Sequence, residues 1–358
     1  MKQNNIANRL IRKAKQLQWE TVVKLHHRDG VTKGDSLILF DPSVSSSNLG
    51  DGIIRFYCNL ALAELIEKRD VLYVPTHTIP SGDQLEAVRH GEIKIVCGTN
   101  LITPHYEEFS NWKMPQDLSG YHNILTLGVG WGYYCDDISR TSRFVYRNIL
   151  SSKGIHSVRD SYTEKKFKEM GIHNVLNTGC PSIWGLTAEH CATIPTRKAN
   201  SVVTTLTDYA PDIDADREML SILKKTYGEV FVWIQGTGDY KYLKGITDIS
   251  DVHIIEPNLD AYTAVLQSGK IDYVRTRLHA GIHALNYGVR SIILAVDNRA
   301  TEMGRDFHLP VIQRAWIQEQ LLPEIQSTLP VNISIPEENI QRWKKPVSYT
   351  HLTLPTIA

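Results

Sequence analysis

Two side chains able to handle an anionic substrate lie two residues apart in the stretch Tyr273 to Val296, YVRTRLHAGIHALNYGVRSIILAV: Arg277 and His279. Arginine presents a planar fork of donors that matches phosphate or carboxylate oxygens, and histidine gives and takes a proton near neutral pH. The apolar run around Ile271 to Val274 reads as a buried strand. Ala280 to Tyr287 reads as a helix ended by Gly288, and Ser291 to Val296 as the next strand. Arg277, Leu278 and His279 therefore fall where a strand hands over to a helix, at the sheet edge where parallel α/β proteins collect ligands. The helix start adds unpaired N–H groups and partial positive charge, so the expected guest is a phosphate or a carboxylate. A plain structural junction carries the same residue types. His279 and His283 also have the i, i+4 spacing of a metal clamp, but Ala280 stands where H-E-x-x-H has its glutamate. No metal is expected there, and His283 reads as a packed helix residue.

Further segments fall at similar junctions. In Ser157-Val158-Arg159-Asp160-Ser161, Arg159 ends a strand ahead of the helix Tyr162 to Met170. It is read either as the partner of a structural cap at Asp160 or as a second guanidinium facing Arg277 across a cleft, where two forks would suit a small dianion. SSNLGDGII (Ser46 to Ile54) follows the first strand and opens a helix, which puts Asn48, Gly50 and Asp51 at a helix start. LGVGWGYY, with Gly128 and Gly130, follows a strand without the third glycine or the acidic ribose ligand of a dinucleotide site. WIQGTGDY, with Gly236 and Thr237, is the matching loop of the second half, where glycine either permits a tight turn or lets a ligand approach.

The elements that must position these residues alternate between strand-like apolar runs and helical patterns, which indicates parallel sheets covered by helices. One set of strands runs from Ser36–Phe40 through Val71–Val74, Ile93–Cys97, Ile124–Leu127 and His156–Val158 to Asn174–Asn177. After the aperiodic stretch Pro181 to Thr196 a second set follows at Val202–Leu206, Val230–Ile234, His253–Ile255, Ile271–Val274 and Ser291–Val296. The expected fold is α/β, with two Rossmann-like domains facing each other across a cleft in a GT-B-type arrangement. The expected division is an N-terminal helical extension over 1–35, a first domain over 36–190, a second over 191–330, and a non-native tail over 347–358. That tail, VSYTHLTLPTIA, resembles translated adapter sequence and is expected to be no part of the fold, standing in place of the natural C-terminus.

Length and composition agree. At 358 residues the chain exceeds the usual limit of a single core. Its 39 basic and 39 acidic side chains cancel, and no basic block marks a nucleic-acid partner. The opening MKQNNIANRLIRKAKQLQWETVVKL is basic and amphipathic but lacks the apolar run of a signal peptide or membrane span. It reads as a solvated helix, with peripheral attachment to a membrane surface left open. Five scattered cysteines without a C-x-x-C pair indicate reduced thiols and a cytoplasmic location.

N-L-G-D at Asn48–Asp51, S-V-R-D-S at Ser157–Ser161, N-T-G-C-P-S at Asn177–Ser182 and R-L-H-A-G-I-H-A-L at Arg277–Leu285, followed by a strand ending in Asp297, together resemble the polysaccharide pyruvyl transferase family. The resemblance covers roughly residues 36 to 315. It implies a transferase that moves a pyruvyl group from phosphoenolpyruvate to sugar hydroxyls of a cell-surface glycan, forming a ketal. The acceptor would be an oligosaccharide or a lipid-linked glycan, which places the work in the cytoplasm at or near the inner membrane face. By the same resemblance, Arg277 and Arg159 hold the phosphate and carboxylate of phosphoenolpyruvate, with the Leu278 backbone and His279 beside them; protonating an enol phosphate needs a group that gives and takes protons near neutral pH, which makes His279 the expected acid/base. Asn48, Gly50, Asp51, Gly128 and Gly130 would border the cleft on the acceptor side. Gly236, Thr237 and Arg299, the last standing where many relatives carry lysine, belong to a donor-side loop. Phosphoenolpyruvate is a co-substrate in this scheme, which needs neither cofactor nor metal. A nucleotide-sugar glycosyltransferase, with Glu256 or Asp260 on the ribose, and a non-catalytic glycan-binding subunit are the competing readings.

Overall fold

A computed structural model describes residues 36–349, so the N-terminal segment and the end of the tail lie outside the described residues. The chain forms two compact units. Among described residues, the first comprises 36–45, Tyr57–Pro181 and 336–349, and the second comprises Ser46–Phe56 with Ser182–Ile335. The boundary expected near residue 190 therefore falls at Pro181/Ser182. The chain also crosses between units at Ser45/Ser46, Phe56/Tyr57 and Ile335/Pro336.

In chain order the elements are β1 (Ser36–Asp41), α1 (Leu49–Ala61), α2 (Ala63–Glu67), β2 (Asp70–Pro75), α3 (Gly82–His90), β3 (Ile93–Ile102), β4 (Leu125–Trp131), α4 (Arg140–Ile149), β5 (His156–Val158), α5 (Ser161–Glu169) and β6 (Val175–Asn177). The second unit continues with α6 (Ala188–Thr193), β7 (Ser201–Thr205), α7 (Ile213–Thr226), β8 (Glu229–Trp233), α8 (Asp239–Ile246), β9 (His253–Ile255), α9 (Leu259–Gln267), β10 (Ile271–Arg275), α10 (Leu278–Asn286), β11 (Ser291–Ala295), α11 (Asn298–Phe307), β12 (Val311–Gln313) and α12 (Leu322–Gln326). The closing helix α13 (Glu337–Tyr349) belongs to the first unit and runs three residues into 347–358, the stretch expected to be a non-native tail. No described helix is long and apolar enough to cross a membrane.

Each unit is built on one six-stranded, all-parallel sheet. The strand orders are β2-β1-β3-β4-β5-β6 and β12-β11-β10-β7-β8-β9, so both units are Rossmann-like, as expected. Burial on both faces explains the unbroken apolar runs, because helices cover each side of a parallel sheet. β7, β10 and β11 are buried at every position. In the second sheet the chain steps outward through β7, β8 and β9, then returns to place β10 beside β7. Connections after β7 and β10 leave in opposite senses, and a crevice opens between them at the strands' carboxyl ends.

Aromatic packing anchors both cores. Phe40 meets Trp112 and Tyr121 at 5.6 and 5.4 Å between ring centroids in the first unit. Trp233 stacks on Tyr262 at 4.1 Å in the second. β3 and β4 extend beyond the expected strands, so Gly128 and Gly130 lie inside β4 rather than in a loop after it. Both glycines are there for space: a Cβ on Gly128, whose φ is +63°, would lie 2.5 Å from Pro181, and one on Gly130 would lie 2.2 Å from the Arg159 guanidinium. The stretch after Pro181, read as aperiodic, holds α6. β12 went unread because three half-buried residues at a sheet edge carry no alternation.

Two histidines are buried among apolar groups. His156 is fully enclosed and its Nε2–H donates to the Ser151 carbonyl at 2.8 Å; His283 is 1% exposed. Burial pushes both down to about 4. The unfolded chain takes up protons below about pH 6.5, where the folded protein still holds both rings neutral. Stability is therefore expected to fall as pH drops from about 6.5 to 4, by a few kcal/mol in all. Urea unfolding across that range checks this, and His156→Gln and His283→Gln should each flatten the slope.

Candidate functional site

The crevice of the second unit is lined by Asn48, Gly50, Asp51, Tyr209, Gln235, Arg277, Leu278, His279 and Arg299, all from that unit. The enclosed cavity is small, about 20 Å³, and the crevice is otherwise open to solvent. Seven of the residues singled out in the sequence, from Asn48 to Arg299, are thus brought together at the switch point between β7 and β10.

Arg277 is the N-cap of α10, two residues beyond β10. Tyr273 Oη donates to its carbonyl at 2.8 Å, which fixes the turn that starts the helix. Its guanidinium is held on one side: Nε donates to the Leu206 carbonyl at 2.8 Å, and Nη2 donates to Asp239 at 2.9 and 3.0 Å and to Asp208 at 3.3 Å. The Tyr209 ring lies 4.8 Å from the guanidinium carbon. Nη1 makes no such bond among the described residues, and the residue lines the crevice, so this edge of the fork is the one available to an anion.

Asp239 is the hub of this arrangement. The carboxylate is completely buried at the start of α8 and accepts from the N–H groups of Gly236 at 2.7 Å, Gln235 at 3.3 Å and Asp208 at 3.3 Å. Burial raises its carboxyl above the usual range, while Arg277 and the Gly236 N–H oppose the rise. The glycines of W-I-Q-G-T-G-D-Y make the geometry possible. A Cβ on Gly236 would lie 3.0 Å from Arg277 Nη2, and one on Gly238 only 2.3 Å from the Asp208 carboxylate. Thr237, between them, is exposed.

His279 is the second residue of α10 and is 6% exposed. Leu278 precedes it, so the first N–H groups of the helix face the same crevice as the imidazole. Across from them Tyr209 links the two arginines: its ring lies against Arg277, and its hydroxyl accepts from Arg299 Nη2 at 3.1 Å. Arg299 is steadied by Asp297, the N-cap of α11, with Nε donating to Oδ2 at 2.9 Å.

Asn48, Gly50 and Asp51, expected on the first domain's side, belong to the second unit. Asn48 Oδ1 accepts from Gln235 Nε2 at 2.9 Å, and the Leu49 N–H donates to the Gln235 carbonyl at 3.1 Å. Gly50 is needed for that docking, since a Cβ would lie 2.7 Å from Gln235 Nε2. Asp51 accepts from Ser46 Oγ at 2.6 Å.

Arg159 is not among the residues lining the crevice. It lies in the first unit, fully enclosed, with Nη1 donating to Asn100 Oδ1 at 2.7 Å and Nε to Asp160 Oδ2 at 3.1 Å. Asp160 also caps α5, accepting from the Thr163 N–H at 2.7 Å, which is the cap reading of S-V-R-D-S. Gly128 and Gly130 are likewise enclosed in β4 of that unit. His283 spends its ring on Thr263, Tyr262 and Tyr287.

Asp208, Tyr209, Gln235 and Asp239 were missed in the sequence. Asp239 had a signal, a carboxylate at the helix start directly after the glycine pair, but Asp208 and Tyr209 sit in a polar loop with no pattern.

Replacing Asp239 by alanine leaves Arg277 with one distant carboxylate in a buried setting. The expected loss in unfolding free energy is about 3 kcal/mol, and Asp239→Asn should lose less because it keeps the shape; urea titration of both variants checks this.

Residues 48–298, more than half of the chain, match the family model described as Polysaccharide pyruvyl transferase. No curated protein matches the chain in sequence. Among solved structures the chain is similar to UDP-GlcNAc 2-epimerase of Methanocaldococcus jannaschii in complex with UDP-GlcNAc and UDP, at 12% identity and TM-score 0.48 over 88% of this chain and 99% of that one. It is similar to the wall teichoic acid polymerase TagF at 12% identity and TM-score 0.43, over 97% of this chain and 90% of the other. A third likeness is to Arabidopsis thaliana UGT89C1 complexed with UDP-L-rhamnose, at 12% identity and TM-score 0.46 over 90% and 98%.

Proposed function

Because the chain belongs to the polysaccharide pyruvyl transferase family, we propose that it moves the pyruvyl group of phosphoenolpyruvate onto two hydroxyls of one sugar in a glycan or glycan precursor. The product is a cyclic ketal, and its setting is the biosynthesis of exopolysaccharide or another cell-surface polysaccharide. The observation that carries this reading is the meeting of strand-end Arg277, helix-start His279 and Arg299 in one crevice at the switch point of the second unit. The acceptor is an oligosaccharide or lipid-linked glycan, handled in the cytoplasm or at the inner face of the membrane.

In this reading the donor's anionic groups meet the unoccupied edge of Arg277, the Arg299 fork and the first N–H groups of α10. His279 delivers a proton to the methylene carbon, converting it to methyl and leaving an oxocarbenium-like centre at the carbon bearing phosphate. One sugar hydroxyl adds there and gives up its proton. The carbon–oxygen bond to phosphate then breaks, inorganic phosphate leaves, and the second hydroxyl closes the ring with loss of its proton. One proton is consumed at carbon and two are released, the surplus proton leaving with phosphate. A single imidazole at the helix start serves as the acid first and as a base afterwards. The two arginines and the helix N-terminus stabilise the departing phosphate, an effect of order 10²–10³ in rate for each donor lost. Arg159, enclosed in the first unit, makes no donor contact in this reading.

Calorimetric titration with phosphoenolpyruvate and, separately, uridine-diphosphate sugars tests the donor. Phosphoenolpyruvate is expected to bind the wild type, to bind Arg277→Lys more weakly, and to give no heat with Arg277→Ala. Binding of the nucleotide sugar alone would move the chain to a different donor class. His279→Ala is expected to keep phosphoenolpyruvate binding and lose turnover by roughly 10²–10⁴; full turnover in that variant rules out its role.

A further inference from the structure

We propose that His105, Cys135 and Asp137 of the first unit form a binding site for a divalent transition metal of the zinc class. Their ligand atoms make a closed triangle: Cys135 Sγ lies 3.7 Å from His105 Nε2 and 3.4 Å from Asp137 Oδ1, and His105 Nε2 lies 3.5 Å from the same carboxylate oxygen. Tetrahedral zinc, with bonds of about 2.3 Å to sulfur and about 2.0–2.1 Å to nitrogen and oxygen, requires ligand–ligand edges of roughly 3.3–3.6 Å. Two sides fall inside that range and the sulfur–nitrogen side exceeds it by about 0.1 Å. Among the described residues this is the one group of histidine, cysteine and carboxylate side chains with ligand atoms so near one another. A sulfur–nitrogen–oxygen donor set favours zinc or a related transition ion over magnesium or calcium.

The surrounding chain holds the three in place. His105 follows β3, and Cys135 and Asp137 follow β4, so the residues gather where two neighbouring parallel strands end. The Ser139 N–H donates to the Pro104 carbonyl at 2.9 Å and ties the two segments together. Tyr162 Oη accepts from the Cys135 N–H at 3.0 Å and lies 3.1 Å from its carbonyl, fixing the cysteine backbone. His105 is 6% exposed, and its other ring nitrogen, Nδ1, is buried without a hydrogen-bond partner, 3.9 Å from Glu107 Oε1. Metal-bound histidines commonly turn their second nitrogen toward such a carboxylate. Glu107 is itself 5% exposed and steadied by Ser139 Oγ at 2.8 Å.

Charge points the same way. Two carboxylates, one of them buried, converge with a thiol, and neither forms an ion pair with lysine or arginine among the described residues. A bound cation compensates them without moving a side chain. Asp137 is 76% exposed, so the fourth coordination position faces solvent and takes water or another oxygen donor, as in sites with three protein ligands. This site does not depend on the reaction proposed above.

The test is titration of the full chain, freed of metal with chelator, with cobalt(II) and then zinc(II), followed by absorption. The wild type is expected to develop a thiolate-to-cobalt charge-transfer band and strong four-coordinate ligand-field bands, saturating near about one ion per chain and lost on adding zinc. Cys135→Ser should abolish the charge-transfer band. Asp137→Asn, altering an exposed side chain that leaves the fold intact, should weaken affinity at least about tenfold. No band in the wild type overturns the proposal. So does a band kept in Cys135→Ser, which would place the ion on another cysteine, and so does unchanged affinity in Asp137→Asn.

Discussion

The buried pairing of Arg277 with Asp239 is the constraint on which the second unit's crevice depends. A guanidinium at the end of a fully buried strand is tolerable only with anions and acceptors around it, and the chain supplies them from three separate connections. Leu206 and Asp208 come from the loop after β7, Asp239 from the start of α8, and Arg277 itself from the turn into α10. Because Asp239 also accepts from three backbone N–H groups, its carboxylate fixes the loop after β8 as firmly as it fixes the arginine. Gly236 and Gly238 follow from this packing, since a side-chain carbon at either would press on the ion pairs. One edge of the fork is thereby immobilised and the other presented to the crevice, so the arginine is already ordered where it lines that space.

From that anchor the rest of the crevice is assembled by short links. Tyr209 lies against the Arg277 guanidinium and reaches Arg299 through its hydroxyl, holding two positive charges on one aromatic side chain. Gln235, next to the glycine loop, receives the N-L-G-D segment through both its amide and its backbone carbonyl. Asn48, Gly50 and Asp51 therefore lie beside residues almost two hundred positions later in the chain. The first unit repeats the theme at the end of β5, where Arg159 is enclosed by Asp160 and Asn100 and Gly130 makes room for it. A strand-end arginine with a carboxylate partner is thus used twice, once lining the second unit's crevice and once enclosed within the first unit.

How much of this was legible varied with the range of the forces involved. Eleven of the twelve strands were readable, most of them because burial on both faces of a parallel sheet forces continuous apolar runs; β12, short and half-buried at an edge, was the one not read. The strand-to-helix junction at Arg277 to His279 was readable for the same reason. Arg159 and Arg277 look alike in sequence, since both end a strand ahead of a helix. Asp160, adjacent in the chain, closes over Arg159, whereas the partners of Arg277 come from 38 and 69 residues away. The glycines of β4 suggested a loop because glycine is rare inside strands, yet the close approach of Arg159 and Pro181 demands them there.

The sequence by itself determined two α/β units, the strand-to-helix junction at Arg277 to His279 and the family, because periodicity, helix starts and motif order are local properties of the chain. Tertiary structure alone decided which side chains share a site. It moved N-L-G-D into the second unit, enclosed Arg159, and brought Asp208, Tyr209 and Asp239 to Arg277. It also set His105 beside Cys135 and Asp137, thirty residues on. These meetings follow from the order of strands in a sheet, which puts β10 beside β7 and β3 beside β4, and no spacing along the chain encodes that order.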